Sequence, residues 1–291
     1  MTLEIRCRLV GGVGNQLFQY ASGFRVASCL NARFVVDTRW IEKYLPHTDS
    51  DIRQLEFYNP DFEITAKSHG DLNPLWDRIT QKLASRDKHL GKFLRIYSNE
   101  ELDLDEIESY KKPVELRGYF QNSWSVESAL QEIPSFSLRL AMESEALIAA
   151  KKLMSNNFVS VHVRRGDYLN KNSIHKVLTQ EYYSEALDFL FRTLPRNTLL
   201  LIFSDDPSYI GNLLPKNISY TLASDLTLNS LEELHLMSLA SGFIIANSTY
   251  SFWPAILAPD NAPVLAPASW FKSGERDLTR LYPAHWEKIP T

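Results

Sequence analysis

The run HVRRGDY, residues 162–168, sets Arg164 and Arg165 side by side at the end of a strand-like segment. Like charges so close repel, so each guanidinium needs an anion or open water. A guanidinium matches phosphate oxygens two at a time, and a charged hydrogen bond of this kind contributes roughly 1.5–3 kcal/mol. Two of them would distinguish a diphosphate from a neutral ligand. The competing reading is an internal ion pair with Asp167. Side-chain alternation puts Val159, Val161 and Val163 on one face and Ser160, His162 and Arg164 on the other. His162 and Arg164 are therefore expected to be neighbours, with Arg165 leaving toward the opposite side or into the turn at Gly166.

Two further segments end in the same way. FSDD (203–206) delivers Ser204, Asp205 and Asp206 to a strand end. Aspartate before Pro207 is also an ordinary helix start. Two carboxylates could suggest a divalent metal, but a diphosphate already faced by arginines does not need one. IIANSTYSFW (244–253) stops a buried strand at Asn247 and continues with Ser248, Thr249 and Ser251. Hydroxyls at a helix N-terminus, together with its unpaired N–H groups, can meet a phosphate or a base edge; they can equally be plain caps. Phe252 and Trp253 read as core. Three strand ends carrying Arg, Ser/Asp and Asn/Ser are most simply read together, as a nucleoside-diphosphate site.

Near the N-terminus, GGVGNQ places Gly12, Gly14 and Leu17 at G-x-G-x-x-L between a strand and a helix, and Asp37 ends the next strand. This nearly matches a dinucleotide fingerprint, with its carboxylate about twenty residues on. Leu17, however, stands where the third glycine would permit close helix–strand packing, and no Walker lysine is present. The open alternatives are an NAD-dependent oxidoreductase using Gly12, Gly14 and Asp37, and a tight turn with no ligand.

These residues must be positioned by α/β elements. Ile5, Cys7 and Leu9 alternate with charge, as in a strand. Residues 15–30 carry helical spacing with Asn15 as the expected cap, and RFVVD (33–37) is the next strand. Residues 40–110 are less regular, with a helix expected around LWDRITQKLASR and a solvated acidic run at ELDLDEIE. VELRGYFQN (114–122) reads as a strand running into a loop. From 143 onward, helices near 143–154, 180–192 and 230–240 alternate with the strands FVSVHV, TLLLIFSDD and GFIIANS. Alternating strands and helices imply a parallel sheet covered on both faces, here as two Rossmann-like domains facing a cleft, residues 1–140 and 141–291, with EIPSFSLRL (132–140) at the boundary.

The chain has 291 residues, a net charge of −4 and two cysteines, Cys7 and Cys29. That balance gives no general attraction for nucleic acid, so an anion site must be local. Two cysteines argue against a disulfide framework and suit a reducing cytosol. The start reads as a strand and not as a signal peptide. No apolar run is long enough to span a bilayer.

GGVGNQLFQYA (11–21), HVRRGDY, FSDD and IIANSTYSFW together resemble, in order, the signature blocks of the α-1,2-fucosyltransferases, glycosyltransferase family 11. Val13, Thr249, Tyr250 and Phe252 are conservative departures from the family's common wording. The resemblance implies a GT-B-like fold and an inverting, metal-independent transfer of L-fucose from GDP-β-L-fucose to the 2-hydroxyl of a terminal galactose. Carried onto this chain, it gives Arg164, His162 and Asn15 catalytic roles. Arg165, Asp167, Gly14, Gln16, Ser204, Asp205, Asn247, Ser248 and Ser251 would bind the donor. Asp37, His47 and Asp167 are the candidates for the base. No cofactor or metal is expected. The implied partners are GDP-fucose and a galactose-terminated glycan or lipopolysaccharide intermediate, in the cytoplasm or peripheral at the inner membrane. A different linkage such as α-1,6, a different donor, or a non-catalytic nucleotide-sugar module are the other readings.

Overall fold

A computed structural model describes residues 3–44, 74–124, 126, 144–154, 157–170, 176–195, 197–216, 218–259, 261–272 and 281–291. The expected boundary segment, His47 and the side chain of Asp167 lie outside the described part. The chain divides into two compact units, Met1–Phe136 and Ser137–Thr291. Each is built on a parallel sheet, so the class is the expected one: α/β, GT-B-like in having two Rossmann-like units.

The first unit orders four parallel strands β2-β1-β4-β3: β1 (Glu4–Arg8), β2 (Arg33–Asp37), β3 (Ile96–Tyr97) and β4 (Val114–Leu116). Helix α1 (Val13–Cys29) links β1 to β2. After it come α2 (Arg39–Tyr44), α3 (Pro74–Arg86), α4 (Lys88–Leu94) and α5 (Leu104–Glu108). Ile5, Cys7, Val114 and Leu116 form the core with Val26, Tyr97 and Phe120. Helix α1 begins earlier than expected. Gly12 is its N-cap, without a side-chain cap, and Asn15 sits inside the first turn. Within 114–122 the strand ends at Leu116 and runs into the expected loop, where the left-handed Phe120 (φ 49°) turns the backbone.

Close helix–strand packing does occur, one turn and a half beyond Leu17. A Cβ on Gly23 would lie 2.6 Å from the Phe34 ring and 2.7 Å from Cys7 Cβ. Gly23 thus does for α1 what the third glycine does in a dinucleotide turn.

The second unit contains α6 (Glu145–Met154), β5 (Phe158–Val163), α7 (Gly166–Asn170), α8 (Gln180–Leu190), β6 (Leu199–Ser204), α9 (Ile210–Leu213), β7 (Tyr220–Leu222), α10 (Ser230–Ser238), β8 (Gly242–Ile244), α11 (Thr249–Ile256), β9 (Val264–Pro267) and β10 (Glu287–Ile289). Its parallel strands run in the order β10-β9-β8-β5-β6-β7. Val159, Val161 and Val163 pack with Tyr182, Tyr183 and Leu187 of α8. Ser160 and His162 are buried on the opposite face, as alternation requires.

In both sheets the direction of growth reverses at the first strand. From β1 the chain adds β2 on one side and later β4 on the other. From β5 it adds β6 and β7 on one side, then β8, β9 and β10 on the other. Open α/β sheets bind ligands beyond the strand C-termini at such reversals.

Candidate functional site

The second unit's reversal lies between β5 and β8. Register aligns β5 with β6 so that Val163 stands opposite Ser204; the residues that follow, Arg164–Arg165 and Asp205–Asp206, therefore emerge together. Arg164 Nε lies 3.3 Å from Asp205 Oδ2, and Arg165 Nη1 lies 2.6 Å from Asp206 Oδ2. The backbone N–H of Arg165 donates to Asp205 Oδ1 at 2.9 Å. The ion-pair partners are thus these two aspartates from the neighbouring strand. Arg165 is held further: its guanidinium lies 3.6 Å above the Tyr209 ring. Arg164 lies 5.6 Å from the centre of the Tyr168 ring, and 22% of its side chain is exposed.

Asp206 is partly exposed, and its carboxyl is held below the ordinary value by the Ser208 hydroxyl and then by Arg165. Ser204 Oγ accepts the backbone N–H of Asp206 and so shapes the turn. Gly166 opens α7 against Asp205, whose Oδ2 would lie 3.2 Å from an added Cβ.

On the β8 side of the reversal, His162 is buried with Nδ1 2.8 Å from Ser251 Oγ. Its pKa falls to about 3, first because of burial and then because of the Arg164 charge. The imidazole is therefore neutral at physiological pH, and as a base it would be weak. Ser251, wholly buried, also accepts the Ala246 N–H at 3.2 Å. The Tyr250 ring lies 5.5 Å from the His162 ring, and its hydroxyl donates to Glu233 at 2.7 Å. Ser248 caps α11 by accepting the Tyr250 N–H, which is the plain-cap reading of that residue.

Asn247 has a structural task. Its Nδ2 donates to the carbonyls of Lys176 and Trp270, both at 2.8 Å. Its buried Oδ1 has no hydrogen-bond partner among the described residues. Tyr168 donates to the Asn247 carbonyl at 2.9 Å, which ties α7 to the end of β8.

The first unit's reversal lies between β1 and β4. Gly11 turns the chain with φ 78°. A Cβ there would sit 2.9 Å from Asn15 Nδ2, so this turn favours glycine on two counts. Gln16, fully buried, donates to the Gly11 carbonyl at 2.9 Å and serves the turn. Gly14 is buried within α1. Asn15 is partly exposed and accepts from Gln121 Nε2 at 2.8 Å. Glu100 fixes the loop that carries Gln121 by accepting the backbone N–H groups of Tyr119 and Phe120.

Asp37 is buried at the end of β2 and engaged by Arg39. Arg39 donates to both of its oxygens, at 2.8 and 2.5 Å. Burial alone would raise this carboxyl, but the bonds and charge of Arg39 outweigh it and hold it below the ordinary range.

Sequence reasoning missed Tyr168, Tyr250, Gln121 and Glu100. The first three lie inside segments already singled out; tyrosine beside an arginine or histidine cluster was the available signal. Glu100 acts from a distance through backbone N–H groups, and no local pattern announces that.

Comparison with known proteins fits this geometry. The family model of glycosyl transferase family 11 matches residues 64–289. The chain is 27% identical over 290 residues to an alpha-1,2-colitosyltransferase of Escherichia coli, covering 97% of each. It is 26% identical to the O-antigen biosynthesis glycosyltransferase WbnK of Escherichia coli, covering 92% of this chain and 95% of that one. The fucosyltransferase NodZ from Bradyrhizobium superposes with a TM-score of 0.48 at 13% identity, over 89% of this chain and 94% of that one, a distant likeness. With the match spanning most of its length, the chain belongs to glycosyltransferase family 11 and is a glycosyltransferase.

Proposed function

We propose that the protein transfers L-fucose from GDP-β-L-fucose to the 2-hydroxyl of a terminal galactose, with inversion. The observation that carries the reading is the meeting of Arg164, His162 and the N-terminus of α11 at the reversal between β5 and β8. Cleavage of a sugar–diphosphate bond leaves growing negative charge on the nucleotide, and preorganised donors aimed at that charge lower the barrier most. Arg164 would meet the diphosphate, oriented by Asp205 on one side and Tyr168 on the other. His162, fixed by Ser251, would act as a neutral hydrogen-bonding group and not as the base. For the first unit, the reading puts Asn15 on a sugar hydroxyl. With Asp37 neutralised by Arg39, the acceptor proton would leave late, from a hydroxyl already attacking an oxocarbenium-like carbon.

A second donor is favoured by one relative. The match to an alpha-1,2-colitosyltransferase supports the α-1,2 linkage and raises the 3-deoxy counterpart of fucose as the transferred sugar. The two donors would differ by one hydroxyl. A site that hydrogen-bonds that hydroxyl rejects the analogue lacking it by a large factor.

The test is a donor panel, GDP-fucose against its 3-deoxy analogue, with galactose-terminated acceptors and the linkage read by NMR. Arg164→Ala is expected to lower turnover by roughly 10²–10³ while leaving the melting temperature nearly unchanged. Wild-type turnover in this variant, or a product not linked at the 2-hydroxyl, would overturn the reading.

A further inference from the structure

Helix α3 is mounted inside out. Its polar residues face the sheet: Asp77 accepts from Arg8 Nη1 at 2.7 and 2.8 Å, and Thr80 accepts from Arg117 at 3.2 Å. Glu115 joins this network through both arginines. Its apolar residues face outward: Leu75 is 69% exposed and Trp76 61%, with Ile79 and Leu83 exposed beside them. At about 100° per residue these four share one arc of the helix. Helix α4 continues the face with Leu90 and Phe93, the latter 82% exposed.

The hairpin is also firmly attached. Asp87 caps α4 through the N–H groups of His89 and Leu90. Gly91 is buried so close to β3 that a Cβ would meet the Ile96 carbonyl at 2.8 Å. The outward apolar face is thus a fixed feature of the unit.

Charge decides what such a face fits. Arg78, Lys82 and Arg86 run along one edge of α3 at intervals of four, and Lys88 and Lys92 do the same on α4. Residues 74–95 hold six Lys and Arg against two Asp, an excess of four in a chain whose net charge is −4. Two such hairpins packed face to face would set like charge against like charge. A tryptophan and a phenylalanine beside aligned lysines and arginines fit an interface where hydrocarbon meets anionic headgroups.

We propose that the α3–α4 hairpin is a membrane-docking surface that lies on an anionic bilayer, its aromatic residues at headgroup depth and its basic edge on the phosphates. No helix among the described residues is long and apolar enough to cross a membrane, so this would be attachment to one leaflet. The proposal is independent of the donor and acceptor named above.

Flotation of the full chain with vesicles of phosphatidylethanolamine and phosphatidylglycerol, three to one, tests it, with phosphatidylcholine vesicles as the control. Wild type should float with the anionic vesicles, less at high salt, and stay behind with the neutral ones. Lys88→Glu with Lys92→Glu should weaken partitioning at least about tenfold. Ile79→Ser with Phe93→Ser should do so at any salt. All four positions are exposed, and unchanged circular dichroism would show that the fold is kept. Absence of flotation, flotation untouched by both double variants, or a dimer in sedimentation that Ile79→Ser with Phe93→Ser converts to monomer would each overturn the proposal.

Discussion

At the residue scale, His162 carries a charge cost that can be read out. Its folded pKa of about 3 lies below the ordinary histidine value of 6.5. The unfolded chain therefore binds a proton over that interval that the folded chain refuses. Stability contributed by the neutral imidazole is full above the unfolded pKa and declines as pH falls from there toward the folded pKa. The slope is at most about 1.4 kcal/mol per pH unit. Urea unfolding of wild type and His162→Gln between these limits should give a shallower pH dependence for the variant. Arg164→Ala should raise the histidine pKa, measured by NMR, because that guanidinium is the second cause of the depression; burial, the first, remains. The face shared by His162 and Arg164 was legible from alternation along one strand. The partners of the two arginines were not. Asp205 and Asp206 lie far along the chain and arrive through the β5–β6 register, whereas a local reading could weigh only Asp167.

At the element scale, the approach of α1 to its sheet is set at Gly23. Gly23→Ala places a methyl against Cys7 and Phe34, and overpacking of this kind costs about 1–3 kcal/mol. Chemical denaturation should show that loss, and Gly12→Ala, where an added Cβ meets nothing within 4 Å, should show far less. The strands from 158 onward and the helices between them were readable because long βα repeats alternate period and burial together. Helix α4 was not, since seven residues closed by a left-handed Arg95 give little periodicity. The position of α3 was readable, but its orientation was not: an apolar stripe ordinarily marks the buried face, and here ion pairs to Arg8 reverse it. Asp77→Leu should therefore destabilise the first unit, despite adding an apolar residue to a helix, because it leaves the buried Arg8 with one carboxylate, Glu115, in place of two.

At the scale of the whole molecule, two parallel sheets reverse their growth beside the motifs that carry the resemblance, the glycine turn in one unit and the arginine run in the other. That is why the general location of the candidate site was legible before its contacts were: motif position follows the chain, and strand ends follow the motif. What each side chain touches depends on loops such as 117–122, whose shape is set by Glu100. The expectation of metal independence belongs to this scale too. The proposed transfer is expected to persist in excess chelator; abolition of turnover that added magnesium or manganese restores would contradict that expectation. Net negative charge with a cationic hairpin also predicts uneven adsorption, by one patch and not by the whole surface. Finally, two guanidiniums that already rest on aspartates are electrically quiet toward the solvent. A bare dication would draw nucleotides in from a distance and lose its grip as counterions crowd around it, whereas this arrangement has little long-range field to screen, and its affinity for GDP should stay nearly level from dilute buffer to physiological ionic strength.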